Sequence, residues 1–550
     1  MELLGNNNLD WISIYFFLGL KEFIKLIEFK GLMEFLKNIS PREYQKKIFE
    51  TCKEKNCLVV LPTGLGKTLI ALMLTIDRMK NFPGKKVLFL APTKPLAEQH
   101  LNYFKKNLPE LFGEMQLFTG SINAQNRKKI WQTGDIIFST PQCIANDLKN
   151  RMYNLKDVCL LIEDEAHRCI KNYDYNYIAQ EYIAQSSCPR ILGLTASPGS
   201  EKSKIKEICK NLFIEEVELR TRESSDVKEY LQELKFEKIL VDFPQEFEEI
   251  RQVLLKIFGE YVEELRSRKI LFGSASKTEL IALQGKISGL LMRNPGNFNY
   301  MMGASACAQA VKIQHALELL ETQTLEGFNK YLKGLFEQAS KKQSKGVVKL
   351  VAKPEFNFVF TRSSELLSKK REHPKLHELI KLIEKEKIEN PNIKIIIFTQ
   401  FRETASNISK RINELKDIKS KLFIGQAKKD STGGLNQKQQ KKIIEEFSEG
   451  KINVLCATCI AEEGLDIPEV NIVIFYEPIP SAIRTIQRSG RTARLKKGKI
   501  IMLITKKTRD EAFFYVSKSR EKKMKIAIES IKSDFENGNK NKIEIQKKLE

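Results

Sequence analysis

The chain lacks what a membrane protein, a disulfide scaffold or a zinc module needs. Its apolar N-terminal stretch, Trp11 to Leu20, has no basic residue before it and is about half as long as a bilayer span requires. It is expected to be neither a signal peptide nor a transmembrane helix. The ten cysteines are scattered, most of them in apolar runs such as those around Cys159 and Cys456, where a free thiol packs as a small hydrophobe. That usage points to a reducing, cytoplasmic compartment. Cys456 and Cys459 form a CxxC with no second CxxC or CxxH, so no metal-ligand thiol is assigned. Acidic residues are the minority charge. Against 92 Lys and Arg stand 69 Asp and Glu, a net charge of +23, which favours polyanionic partners, nucleic acid first. A chain that is 42% hydrophobic and 29% charged is neither collagen-like nor disordered nor a polytopic membrane protein. Its 550 residues suggest about three or four domains.

What is present is an α/β grammar written twice. Short, unbroken, β-branched runs at 57–62, 86–92, 135–140, 159–164 and 190–197 alternate with helical patterns, and the same alternation returns at 394–401, 453–458, 470–478 and 499–505. Continuous apolar strands separated by helices predict parallel sheets covered on both faces. Between them the chain shows helical periodicity and no strand run of that kind. The expected divisions are an amphipathic helical extension over 1–39, a first α/β domain over 40–220, a helical insert over 221–372, a second α/β domain over 373–515 and a basic helical tail over 516–550. Met33 is an alternative start to Met1. The basic segment 341–353 reads as a surface loop, with a phosphate-contacting strand as the alternative.

Residues 58–61 run into Pro62-Thr63-Gly64-Leu65-Gly66-Lys67-Thr68 and then an apolar helical pattern. Strand, glycine-bearing loop and helix N-terminus together make a phosphate cradle. Lys67 is positioned to neutralise the β- and γ-phosphates and Thr68 to place its hydroxyl on Mg²⁺. Leu61 stands where the strict loop pattern has glycine. A later strand ends in Asp164-Glu165-Ala166-His167, at the carboxyl edge where such sheets bind ligands. Asp164 is the expected Mg²⁺ partner and Glu165 the residue that orients or deprotonates the attacking water. The position of His167 suggests an interdomain hydrogen bond.

These residues and an ordered set after them resemble superfamily two helicases, most closely the archaeal Hef helicase and its eukaryotic relative, the Fanconi anaemia complementation group M translocase. The set comprises Arg42-Glu43-Tyr44-Gln45, APTKPLAEQ at 91–99, TG at 119–120, STPQ at 139–142, TASPGS at 195–200, FTQFRETA at 398–405, GQAKK at 425–429, ATCIAEEGLDIPEV at 457–470 and the segment 476–494 ending QRSGRTAR. Ala461 and Ala493 stand where many relatives have glycine. The ERKxxxD signature of the Hef nuclease does not occur in the sequence, so remodelling without cutting is the expectation.

The resemblance implies two RecA-like domains, with Arg42 and Gln45 reading adenine and Gly464, Asp466 and Gln487 completing the nucleotide's wall. Arg491 and Arg494 become the candidate arginine fingers, the further cations that the transition state demands. Pro92, Thr93, Gly120, Thr140, Thr399 and Thr458 are expected to hold nucleic-acid backbone without reading bases, and Thr195 and Ser197 to couple the two sites. The implied activity is an ATP- and Mg²⁺-dependent 3′ to 5′ DNA helicase or translocase. It would act on forked and branched DNA in fork restart and repair, alongside a separate nuclease or replication clamp. Two alternatives stay open: an RNA helicase or double-stranded-RNA-dependent ATPase, and a scaffold without turnover that recruits a nuclease.

Overall fold

The computed structural model describes residues 31, 34–37, 39–231, 233–426, 434–458, 467–490, 492 and 497–536. The first lobe is a seven-stranded parallel sheet in the order β3-β4-β2-β5-β6-β1-β7. Its strands are β1 (Cys57–Val60), β2 (Lys86–Leu90), β3 (Met115–Phe118), β4 (Ile136–Ser139), β5 (Val158–Asp164), β6 (Ile191–Thr195) and β7 (Glu216–Leu219). The interior strands β1, β2, β4, β5 and β6 are buried along almost their whole length, as a sheet covered on both faces requires. Helix α1 (Glu43–Glu54) precedes β1 and α2 (Lys67–Asn81) follows it. In α2 every residue from Leu69 to Ile76 is buried, which explains a pattern that is apolar on nearly all sides. Helices α3 (Lys94–Asn107), α4 (Ala124–Thr133), α5 (Pro141–Lys149), α6 (Asp174–Gln185) and α7 (Lys202–Asn211) complete the covering layers.

The first lobe runs further than 220. A short helix α8 (Ser225–Lys228) buries Val227 in the lobe's core, with Tyr230 and Leu231 packed against it. The chain then contributes β8 (Leu234–Val241), which pairs in parallel with β13 (Gly498–Thr505) as an edge of the second sheet. A strand in the region expected to be wholly helical is the main departure from the sequence reading. Its physical reason is the edge position: β8 carries Lys235, Glu237 and Lys238 and is mostly exposed, so it lacks the apolar run that marks an interior strand.

The helical bundle therefore begins later, with α9 (Gln245–Ser267), followed by α10 (Lys277–Arg293), α11 (Phe298–Thr322), α12 (Leu325–Ser340), α13 (Lys345–Val351) and α14 (Pro354–Ser368). Helix α13 corrects the loop expected over 341–353. Ser344 caps it by accepting from Val347 N, and Val347 and Leu350 enter the bundle core. The second sheet has the order β10-β11-β9-β12-β13-β8, all parallel, with β9 (Ile395–Phe398), β10 (Ser420–Phe423), β11 (Val454–Ala457) and β12 (Ile472–Phe475). Its helices are α15 (Pro374–Glu389), α16 (Arg402–Ile412), α17 (Gln437–Ser448) and α18 (Ala482–Ser489).

The expected basic tail is part of α19 (Arg509–Glu536). That helix starts in the second lobe and returns to the first, where Met524, Ala527, Ile528 and Ile531 join the core beside β7 and α7. Lys202 holds Asp534 at 3.1 Å and Lys525 holds Glu223 at 3.1 Å. Among the described residues no helix is long and apolar enough to cross a membrane.

Candidate nucleotide and nucleic-acid site

The order of the first sheet divides its carboxyl edge into two halves. Strands β5, β6 and β1 lie side by side and end in Asp164-Glu165, Thr195 and the loop Leu61–Gly66. Strands β3, β4 and β2 lie beside one another in the other half and end near Gly120, Thr140 and Pro92-Thr93. The expected phosphate-of-nucleotide residues and the expected phosphate-of-backbone residues thus fall on adjacent stretches of one edge, which spacing in the sequence does not reveal.

The loop after β1 closes tightly. Gly64 and Gly66 take φ of 84° and 79°, left-handed backbone that strains any residue with a Cβ. Gly66 is the N-cap of α2, so the first-turn N–H groups of that helix have no partner within it and face the position of a bound anion. Lys67 Nζ donates to Leu61 O at 2.9 Å, folded over the loop it would share with a phosphate. Tyr44 Oη and Gln45 Nε2 donate to Leu65 O at 2.8 and 3.0 Å, while Gln45 Oε1 accepts from Arg42 N at 2.8 Å. Gln45 and Tyr44 therefore brace the loop from outside, and a Cβ on Gly66 would collide with the Gln45 amide. Arg42 lies over the Tyr230 ring at 4.9 Å.

Asp164 and Glu165 follow from strand alternation and a strained turn. Glu163 points into the core, where it accepts from Cys169 Sγ at 3.1 Å and burial raises its carboxyl well above the usual range. Asp164 faces the loop side, its backbone carbonyl accepting from Tyr175 Oη at 2.8 Å. Its Oδ2 lies 2.8 Å from His100 Nε2, and both side chains are buried. Burial opposes the charged form, yet His100 and then Lys67 hold the Asp164 carboxyl below the usual carboxylate range. Glu165 sits at φ 53°, ψ 46°, an unusual left-handed position for a non-glycine residue and one that concentrates at functional sites. Its Oε2 is 3.1 Å from His167 Nδ1, and the same His167 nitrogen is 3.2 Å from Thr195 Oγ1.

The chain of contacts goes on. Thr195 Oγ1 accepts from Ser197 N at 3.1 Å, and Ser197 Oγ contacts Met524 Sδ at 3.1 Å. His167, Thr195 and Ser197 thus lie on one continuous path from Glu165 to α19, a helix rooted in the other lobe. The residues present suit a nucleoside triphosphate with a hard cation: Thr68 and an ionised Asp164 form an oxygen donor set, and Lys67 and the helix N-terminus supply positive potential.

The second lobe closes over this loop. Gly490, the C-cap of α18, packs so tightly on Thr63 that even a methyl group at Gly490 would overlap the Thr63 hydroxyl. Ile486 on the same helix packs against the first lobe's core. Arg488 is fully buried, its guanidinium 4.8 Å from the Phe398 ring. Gln487 lies on α18, although its side chain, together with Gly464, Asp466, Arg491 and Arg494, lies outside the described residues.

The chain matches three helicase families in sequence order: "DEAD/DEAH box helicase" over residues 42–205, "Putative ATP-dependent RNA helicase, helical bundle" over 246–371 and "Helicase conserved C-terminal domain" over 374–496. The crystal structure of the Pyrococcus furiosus Hef helicase domain superposes with a TM-score of 0.67 at 41% identity, covering 88% of this chain and 100% of that one. The chain belongs to the Hef-type superfamily two helicases. It is also 37% identical to a Methanocaldococcus jannaschii protein named "Putative ATP-dependent RNA helicase", covering 90% of this chain and 61% of that protein. An ATP-dependent DNA helicase of Schizosaccharomyces pombe is 31% identical, with 85% and 57% covered. The Hef-type chain thus spans less than two thirds of the length of these two relatives.

Within this helicase the residues expected to hold nucleic acid are not equivalent. Pro92, Thr93 and Thr140 are part-exposed and Gly120 is exposed. Thr93 and Thr140 are the N-caps of α3 and α5. Thr399 is different: it is fully buried, and its hydroxyl donates to Gln323 Oε1 at 3.3 Å at the end of α11. Thr458 is also buried. The Thr399 hydroxyl is therefore engaged by the end of the helical bundle rather than turned toward a phosphate. Sequence reasoning missed His100, Tyr44, Gly490, Gln323 and Met524. His100 directly follows the motif APTKPLAEQ, but its pairing with Asp164 spans 64 positions and leaves no local signal.

Proposed function

We propose that this chain is an ATP- and Mg²⁺-dependent DNA helicase or translocase that remodels forked and branched DNA with 3′ to 5′ polarity, in replication-fork restart and repair. The observation that carries the reading is the packing of Gly490 on Thr63, which brings the end of the helix bearing Gln487 up to the phosphate loop. Lys67 and the α2 N-terminus bind the β- and γ-phosphates, and Thr68 and Asp164 would hold the cation, which would supply charge neutralisation. Glu165, kept in place by its turn and by His167, takes the proton of the attacking water. The arginines from the second lobe balance the charge that grows on the transferred group. Arg42 and Gln45 would read the adenine, and Gly464 and Asp466 would contribute to the nucleotide site from the second lobe.

Hydrolysis loosens the Thr63–Gly490 contact, the lobes separate, and the strand held along Pro92, Thr93, Gly120 and Thr140 advances. Contacts of this type read backbone, so binding falls steeply with salt and depends little on sequence. A separate nuclease or clamp is the natural partner of such a motor. A cytoplasmic location belongs to the same reading, supported by buried cysteines such as Cys52, Cys57, Cys159 and Cys456, which pack as small hydrophobes. An RNA helicase is the second reading, favoured by the names of the helical-bundle family and of the archaeal relative.

The test is a panel of labelled forks, three-way and four-way junctions and RNA duplexes of equal length, assayed with ATP and Mg²⁺. Fork DNA should stimulate hydrolysis and be opened from the 3′ tail. A tenfold preference for RNA removes the DNA reading, opening from the 5′ tail removes the polarity, and undetectable hydrolysis leaves the scaffold.

A further inference from the structure

A buried ion pair in the first lobe takes no part in the nucleotide chemistry. Arg127, near the start of α4, reaches across to Asp147 on α5, where Nε donates to Oδ2 at 2.7 Å and Nη2 to Oδ1 at 2.5 Å. The two residues are only 7% and 1% exposed. Tyr153 Oη donates to the same Asp147 Oδ2 at 2.9 Å, and its ring stacks at 4.0 Å on Trp131, one turn beyond Arg127. The remaining guanidinium nitrogen, Nη1, turns to the loop before α4, donating to Ile122 O and, at 3.5 Å, to Thr119 O.

That loop carries Gly120, one of the expected backbone contacts, and α5 begins at another, Thr140. Strands β3 and β4 set the two side by side, with Phe118 in register with Ser139. On its inner side the loop is closed: Ile122 N donates to Thr119 O at 3.0 Å, and the hydroxyls of Thr119 and Ser121 lie 2.7 Å apart. Its outer side is unfilled. Gly120 and Ser121 are exposed, and their N–H groups have no partner among the described residues. A Cβ at Gly120 would meet nothing within 4 Å, and its φ is not left-handed. Neither packing nor local backbone calls for glycine there, whereas close approach by an outside backbone does.

We propose that Arg127 and Asp147 are positioning residues of the motor, locking the loop 119–122 to α5 so that Gly120 and Thr140 hold a nucleic-acid strand at a fixed separation. Two physical arguments favour this over a role in stability alone. A buried ion pair adds little net stability over apolar residues of the same volume, because desolvating both charges offsets their attraction. A guanidinium fork also fixes direction as well as distance: with Nε and Nη2 committed to Asp147, Nη1 points at the loop carbonyls. Those carbonyls belong to Thr119 and Ile122, which flank Gly120 and Ser121, so moving the pair moves the exposed N–H groups. The strand is then gripped by one rigid block while the lobes separate, as a step requires. The proposal rests on the nucleic-acid motor reading above and adds what sets the geometry of its grip.

The experiment uses the full chain with fluorescein-labelled oligothymidylate, or oligouridylate if RNA is preferred, and follows both binding and strand-stimulated ATP hydrolysis. Arg127→Lys keeps the charge and loses the fork. It should weaken strand binding, and raise the strand concentration for half-maximal hydrolysis, about tenfold, while kcat at saturating strand and KM for ATP stay within about twofold. Asp147→Asn, which keeps the shape and one acceptor oxygen, should show a smaller loss of the same kind. Hydrogen exchange at 119–122 should slow when the oligonucleotide is added to the unaltered chain, and slow less in either variant. A lowered melting temperature with unchanged strand affinity assigns the pair to stability alone and overturns the proposal. So do equal losses in strand affinity, kcat and KM for ATP, which mark damage to the whole lobe. If neither variant folds, the unaltered chain decides. Exchange at 119–122 that ignores an oligonucleotide which stimulates hydrolysis overturns the proposal and leaves the motor reading standing, whereas no stimulation by either oligonucleotide removes both.

Discussion

The two parallel sheets share an architecture and use their carboxyl edges differently. In the first lobe the edge is left to ligands: Pro92, Thr93 and Thr140 are part-exposed, and Asp164 and Glu165 border the phosphate loop. In the second lobe the corresponding edge is filled. Gln323 reaches Thr399, Lys375 donates to Thr322 O at 2.7 Å and pairs with Asp510 at 2.8 Å, Gln400 N donates to Glu477, and Arg509 Nη1 donates to Gln314 O at 2.7 Å. These contacts tie together the helical bundle, α15, the start of α19 and the ends of the second sheet's strands. The difference teaches that a carboxyl edge is a docking platform for whatever polar groups are brought to it. One lobe keeps its platform for ligands, and the other spends it on holding the bundle rigidly.

If that is right, breaking the buried pair should cost the most. Lys375 and Asp510 are both fully buried, and removal of one partner strands the other charge. Lys375→Met should destabilise the second lobe with its bundle by about 3–5 kcal/mol, read as a lowered denaturation midpoint. A loss below about 1 kcal/mol would mean that the bundle is only loosely attached and would erase the contrast between the lobes.

The open edge should respond in rate rather than in stability. Glu165→Gln or Lys67→Ala should reduce nucleic-acid-stimulated ATP hydrolysis by roughly 10²–10³-fold, with the melting temperature nearly unchanged because neither side chain is a core contact. Hydrolysis that survives either substitution would place the chemistry elsewhere.

How much of this was legible follows the same contrast. The nine strands readable from the sequence are the interior ones. The four that were not, β3, β7, β8 and β10, are the four sheet edges. An edge strand is solvated on one side, and Lys235, Glu237 and Lys238 in β8 or Glu216 and Glu218 in β7 break the apolar run that marks a strand buried on both faces. The site divides similarly. The phosphate loop and the Asp164-Glu165 turn are local constructions of neighbouring residues, so their chemistry is written in one place. The packing of Gly490 on Thr63, the cover that Gln323 puts over Thr399 and the contact of Ser197 with Met524 join residues far apart in sequence, and no local pattern encodes them.

A smaller effect, visible in its pH dependence, sharpens the picture of the filled edge. Burial pushes the Glu477 carboxyl up to about 7 from 4.5, against the pull of Lys375 and Arg488. A carboxyl raised in the fold binds its proton more tightly folded than unfolded. Its contribution is therefore complete below pH 4.5 and is lost as the pH rises to about 7, a change of about 3 kcal/mol. Glu477→Gln should flatten that part of the stability profile between pH 5 and about 7, followed by chemical denaturation at fixed salt. A variant that keeps the full slope would assign it to another group.

The smallest expected effect probes how the open edge is prepared for a cation. Asp164 turns Oδ2 toward His100 at 2.8 Å, which fixes the carboxylate plane and leaves its other oxygen for the loop side. Partners of this kind set the orientation of a metal ligand and commonly change metal affinity by about 10–100-fold when removed. His100→Ala should raise by that factor the Mg²⁺ concentration needed for half-maximal binding of a fluorescent ATP analogue, with kcat at saturating Mg²⁺ reduced much less. His100→Gln keeps an N–H donor within reach of Oδ2 and should recover most of the loss. Because Ala and Gln both remove the imidazole, recovery by Gln separates the hydrogen bond from mere packing against Phe89, whose ring centroid is 4.4 Å from that of His100. Equal defects in the two variants would instead assign His100 to the core, and the open edge would then owe the orientation of Asp164 to the Tyr175 contact and the strand alone.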